Sequence, residues 1–248
     1  MRKNWCSLLL CVFVLPLAAD SENYRKLFQE GESLRNARKY AEAQEVFRKA
    51  FAEPGITADQ KCLSLMRSAQ CDFWRGKYAE AVPVMKEAVG IPGVTAYYKS
   101  DSFLWLANTY SAQKKWDEAL EAAGQAFGSA PATLPGMKVS ALLISGNAFR
   151  MKKDFRKAAD SYRQAVLLEK VPPEMKNKAR KELVQSYYEA GEYPQAVETA
   201  QEILNAAEST AAERKKAQKW IADSFFAAQN FEQAARELEK YKAMPEGK

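Results

Sequence analysis

The chain of 248 residues carries 37 lysines and arginines against 31 aspartates and glutamates, a formal charge of +6, and no histidine. Without histidine it lacks the usual general base near neutral pH, both common catalytic triads and the commonest metal ligand. No glycine-rich phosphate loop or haem-attachment cysteine pair takes their place, and the positive excess forms no clustered footprint that would point to nucleic acid.

Residues 1–19 hold Arg2 and Lys3, an apolar run from Trp5 to Leu17, then Ala18 and Ala19. A short basic region, an apolar core and a small-residue end predict a secretory signal peptide cleaved after Ala19. The run is shorter than the roughly 20 apolar residues of a membrane-spanning helix. Cys11 follows Leu8, Leu9 and Leu10 and lacks the small residue that precedes a lipid-acceptor cysteine. The expectation is an exported chain, periplasmic or extracellular, with no transmembrane anchor in its mature form. Losing Arg2 and Lys3 lowers the charge from +6 to +4.

From residue 20 onward the pattern is periodic. Ala43, Ala81, Ala119, Ala158, Ala196 and Ala234 follow one another at 38, 38, 39, 38 and 38 residues. Three residues before each stands an aromatic: Tyr40, Tyr78, Trp116, Phe155, Tyr193 and Phe231. Twelve residues before stands a small or aliphatic one: Gly31, Ala69, Ala107, Gly146, Val184 and Ala222. Small groups at matched positions on two successive helices let the backbones approach closely, so each unit reads as a helical hairpin.

In chain order, Asp20 or Ser21 is placed to cap a first helix carrying Tyr24, Leu27, Phe28, Gly31 and Leu34. Residues 36–39 turn into a second helix that Pro54 and Gly55 end. Thr57 with Gln60 reads as a capping box, Gly76 as the next internal turn. Pro92 to Thr95 echo Pro54 to Thr57 before the third unit. The segment 128–136, with Pro131 and Pro135, is the loosest join and the predicted hinge. Pro172 and Pro173 precede the fifth unit, which turns at Gly191 and admits Pro194 in the first turn of its second helix. Thr210 with Glu213 is a further capping box candidate.

This pattern resembles the tetratricopeptide repeat, in six copies over residues 22–241, with units of 38 or 39 residues where about 34 is usual. The resemblance implies an all-α, right-handed solenoid of hairpins, at about 22–53, 58–91, 96–128, 136–170, 174–206 and 210–244. It also implies first helices lining a concave groove that binds another protein or peptide. The position after each early small residue is polar throughout: Glu32, Gln70, Asn108, Asn147, Gln185 and Asp223. Amides there are suited to hold an extended peptide backbone.

Four residues earlier stand Phe28, Met66, Leu104 and Leu143, then Lys181 and Lys219; three further back stand Arg25, Leu63, Asp101, Ser140, Lys178 and Lys216. The groove is therefore expected to be apolar in its middle and basic in its last two repeats, favouring an acidic segment. The alternative is assembly through exposed terminal repeats, including with further copies of the chain. Acid pairs such as Glu42 with Glu45 read as solvated helix faces, so no enzyme activity, cofactor or metal is expected. Cys62 and Cys71, nine residues apart on one predicted helix and about 13 Å apart in rise, are too far apart for a disulfide. They read as buried packing thiols, or as an exposed thiol bridging two chains.

Overall fold

The computed structural model describes residues 22–245, which form twelve helices. The first helices of the hairpins are α1 (Glu22–Asn36), α3 (Ala58–Trp74), α5 (Ala96–Ala112), α7 (Pro135–Met151), α9 (Pro173–Glu189) and α11 (Ala211–Ala227). The second helices are α2 (Tyr40–Ala52), α4 (Tyr78–Gly90), α6 (Trp116–Ser129), α8 (Phe155–Leu167), α10 (Tyr193–Asn205) and α12 (Phe231–Ala243). The fold is an all-α solenoid of six hairpins. The expected signal peptide lies outside the described residues, and no described helix is long and apolar enough to cross a membrane.

All six hairpins turn by the same device. The middle residue of each three-residue turn is left-handed: Arg38 (φ 60°), Gly76 (75°), Lys114 (59°), Lys153 (61°), Gly191 (76°) and Gln229 (61°). Its amide bonds back three residues, and the next amide bonds back five, as in Arg38 to Arg35 and Lys39 to Leu34. This is the Schellman closure, which satisfies carbonyls that the helix end leaves bare. Only two of the six positions use glycine, the residue that adopts this conformation without steric cost.

The joins between hairpins are equally regular, five residues each. The 130–134 join, expected to be the loosest, is no longer than the others, and its Ala130 is buried. The single 39-residue spacing comes instead from α6, which has 14 residues where the other second helices have 13. Both expected capping boxes form, Thr57 with Gln60 and Thr210 with Glu213. Thr95 does not cap α5 with its side chain; its amide donates 2.7 Å to Asp59 Oδ1 in the preceding repeat.

Within each hairpin, the early small residue of the first helix meets a side chain sixteen positions later on the second. A Cβ on Gly31 would lie 2.6 Å from the Phe47 ring, and one on Gly146 would lie 2.4 Å from the Tyr162 ring. Where the small residue grows, its partner shrinks. Ala69 shares a buried cluster with Met85, Ala107 with Ala123, and Val184 with Ala200. Glycine faces an aromatic ring, whereas alanine or valine faces a smaller side chain, down to the alanine pair Ala107 and Ala123.

Successive repeats stack unevenly. α3 packs on α5, α5 on α7, α7 on α9 and α9 on α11, whereas no two second helices pack on one another in this way. First helices therefore line the tighter, inner side and second helices the outer side. Cys62 and Cys71 are buried and unbonded, as packing thiols.

Gly146→Ala should lose about 1–3 kcal/mol in urea unfolding because the new methyl meets the Tyr162 ring. Gly124→Ala, in the exposed interior of α6 with nothing within 4 Å of the added methyl, should gain about 0.5–1 kcal/mol. Equal effects at the two sites would show that close approach is not what Gly146 supplies.

Candidate functional site

On the inner helices, the apolar residues expected as groove anchors turn out to be mortar between repeats. Met66 is fully buried, with Ser102 of α5 donating to its sulfur at 3.6 Å. Leu104 is buried with Ala126 and Ala141, and Leu143 with Ala179 and Leu183. Phe28 is half-buried, its ring centroid 5.6 Å from Tyr24 and 5.4 Å from Phe47. For Met66, Leu104 and Leu143 the physical reason is the stacking of first helix on first helix, which draws this position into the seam and away from solvent, whereas the ring contacts of Phe28 lie within its own hairpin.

Gln70 is also withdrawn, 1% exposed, its Oε1 accepting from Arg67 Nη1 at 3.0 Å. Asn108 and Asn147 are exposed, one repeat apart on α5 and α7. Tyr162 donates its hydroxyl to Asn147 Oδ1 at 2.7 Å, fixing the amide with its N–H groups still to be used. Gln185 is half-buried and donates to Glu189 at 2.9 Å.

Two of the four lysines of the expected basic end are neutralised by their neighbours. Lys181 pairs with Glu213 at 2.6 Å, and Lys219 with Asp223 at 2.7 Å. Lys216 lies over the Trp220 ring, 4.7 Å from its centroid. Lys178 is exposed, and neither it nor Lys216 makes an ion pair among the described residues. Other inner-helix charges tie repeats together, as Arg67 does with Glu32 at 2.9 Å and Arg150 with Glu182 at 3.3 Å.

Two features of this face escaped the sequence reading. Near the hairpin turns, Trp74 and Met151 are more than half exposed at equivalent positions five residues after Ala69 and Gly146. Trp74 also belongs to an aromatic group with Phe73, Tyr78 and Trp105. That column reads Asn36, Trp74, Ala112, Met151, Glu189 and Ala227, so only its two large members carry a signal. At the opposite ends of the helices, a cavity of about 520 Å³ opens between the starts of α5, α7 and α9. Tyr97 and Leu134, both exposed, stand in its wall beside Asp101. Burial pushes the Asp101 carboxyl above the usual carboxylate range, with Arg67's charge acting against it.

The tetratricopeptide repeat family model matches residues 104–174 and 181–247. The chain belongs to the tetratricopeptide repeat family. No curated protein matches it in sequence. Among solved structures it is similar to the C-terminal part of a TPR repeat-containing protein from Cytophaga hutchinsonii, with a TM-score of 0.66 at 20% identity, covering 86% of this chain and 77% of the other. BtubC (BKLC) from P. vanneervenii gives 0.64 at 16% identity over 91% of each chain. Pseudomonas aeruginosa pilF gives 0.60 at 15% identity, covering 89% of this chain and 91% of the other. At these identities the likeness is one of fold alone.

The last described hairpin of the TPR array differs from the internal ones. Phe226 and Phe231 form an edge-on pair across its turn, centroids 5.4 Å apart, and both are more than half exposed. The equivalent pair, Phe73 with Tyr78, is covered by Trp105 of the following repeat. With Leu238 the terminal pair borders a shallow groove of about 290 Å³. Among the described residues, no group of three or more potential metal-ligating side chains converges.

Because burial raises the Asp101 pKa, the folded state binds that proton more tightly than the unfolded chain, and the cost of the charge is present at pH 7 and relieved as pH falls through the folded value. Asp101→Asn should therefore raise the urea midpoint at pH 7, with the gap to wild type closing in more acidic buffer. A gap that widens on acidification would reverse the sign argued for this carboxyl. Burial likewise raises the Cys71 thiol to about 11. A thiol reagent at pH 8 should label neither Cys62 nor Cys71 until urea unfolds the chain, and intact mass should show no bond between them.

Proposed function

We propose that this chain is an exported interaction scaffold that holds an extended segment of another protein against the inner face of its repeats. The observation that carries this reading is the pair of exposed amides, Asn108 and Asn147, at matching positions on adjacent inner helices. Amides in such a row both donate to and accept from a peptide backbone, and the exposed Trp74 and Met151 offer apolar contact alongside. Acidic residues of the segment would meet Lys178 and Lys216, whose charges are not spent on ion pairs, more readily than Lys181 and Lys219. The basic leader pattern of residues 1–19 supports export.

The exposed Phe226, Phe231 and Leu238 favour a second reading, assembly through the C-terminal face. The outer side of α1 presents Asn23, Lys26, Gln29, Glu30 and Ser33, all exposed and polar. End-to-end stacking of unlike faces is thereby disfavoured, and self-assembly by this route would join two C-terminal faces.

A partner recovered by crosslinking in the producing cells, then titrated against purified protein, separates the two readings. Asn108→Ala with Asn147→Ala should weaken binding by about 1–3 kcal/mol with unchanged salt dependence. Lys178→Glu with Lys216→Glu should weaken an acidic segment by about 1 kcal/mol and flatten the salt dependence. Wild-type binding by both double variants, together with loss of association in Phe231→Ser with Leu238→Ser, would move recognition to the terminal face.

A further inference from the structure

We propose that the cavity between the starts of α5, α7 and α9 is a receptor for an arginine side chain presented by a partner protein, with Asp101 as its counter-ion. The cavity measures about 520 Å³, well above what one such side chain fills, so it also leaves space for the adjoining backbone. Its wall is chiefly apolar, with Met137 and Met175 available to the methylene stem and the half-exposed Tyr97 ring available to the planar guanidinium.

The choice of occupant rests on charge. Glu32, Glu182, Glu213 and Asp223 on the inner helices each hold a cation within 4 Å. Asp101 makes no ion pair or side-chain hydrogen bond among the described residues, although it is largely withdrawn from water. Arg67, the cation whose field reaches it, is already engaged by Glu32 and Gln70. A carboxylate with both oxygens free beside apolar walls matches a guanidinium that offers two parallel donors. Lys170 is the one cation in the lining; it is exposed on the 168–172 join, where solvent screens its repulsion. Phosphate or carboxylate ligands would instead meet Asp101 as a like charge.

This inference deepens the proposed recognition of a protein segment, yet its test does not depend on finding that segment. N-acetylarginine amide is titrated into the isotope-labelled protein and followed by amide chemical shifts, with N-acetylcitrulline amide as the uncharged probe of the same shape. The arginine probe should produce saturable shifts at Asp101, Leu104, Leu134 and Met137 and bind at least tenfold tighter than the citrulline probe. Asp101→Asn, which keeps the shape, should erase that difference, while Asn108→Ala with Asn147→Ala should leave it intact. Equal binding of the two probes, discrimination that survives Asp101→Asn, or no shift at these amides would each overturn the proposal. So would the same amides shifting with protein concentration alone, since the cavity would then take a second copy. Failure here with loss of partner binding in the asparagine variants would leave the peptide-groove reading standing.

Discussion

Close approach between the two helices of each hairpin is the constraint on which this molecule depends. At Gly146 the Tyr162 ring occupies the space where any side chain would begin, and at Gly31 the Phe47 ring does the same. The other hairpins meet the same constraint with different volumes, down to the alanine pair Ala107 and Ala123. A hairpin packed this closely presents a stiff edge to its neighbour, and six identical turns give each hairpin the same geometry. The solenoid is the stacking of those equal units, each burying its apolar side against the next.

That stacking explains the character of the inner face. First helices press together, so Met66, Leu104 and Leu143 are consumed in holding repeats to one another. What remains open to solvent is what lies outside the seams: amides on α5 and α7, apolar groups near the turns, and the cavity near the joins. Ion pairs follow the same logic. Those between neighbouring inner helices, such as Arg67 with Glu32, fasten repeats with charges that would otherwise be offered to a ligand. These pairs are only partly buried, so solvent still screens them, and they also decide which charges are left unspent.

The two ends of the array obey the same packing rule with opposite outcomes. α1 presents a polar outer side, while the Phe226 and Phe231 pair has no described element doing what Trp105 does for Phe73 and Tyr78. Contiguous apolar surface of this kind is where another chain gains most from docking.

Periodicity alone determined six hairpins and the small position early in each first helix, because helix period is a local property written at fixed spacing; that this position meets the side chain sixteen residues later, Phe47 or Tyr162, was not legible. Thr57 with Gln60 and Thr210 with Glu213 were legible as caps because capping is local as well. The left-handed turns at Arg38, Lys114, Lys153 and Gln229 were not, since no glycine marks them and the hydrogen bonds of the closed turn, not composition, impose the conformation. Tertiary structure alone decided which inner residues reach solvent. Met66 and Asn108 lie on inner helices and both belong to columns that the sequence nominates, yet Met66 is sealed and Asn108 is open. Likewise Lys181 and Lys178 are three residues apart and equally basic, but Glu213 from the next repeat reaches only Lys181. Burial and pairing depend on neighbours some 38 residues away, and a single helix's sequence does not say which of its sides that neighbour will cover.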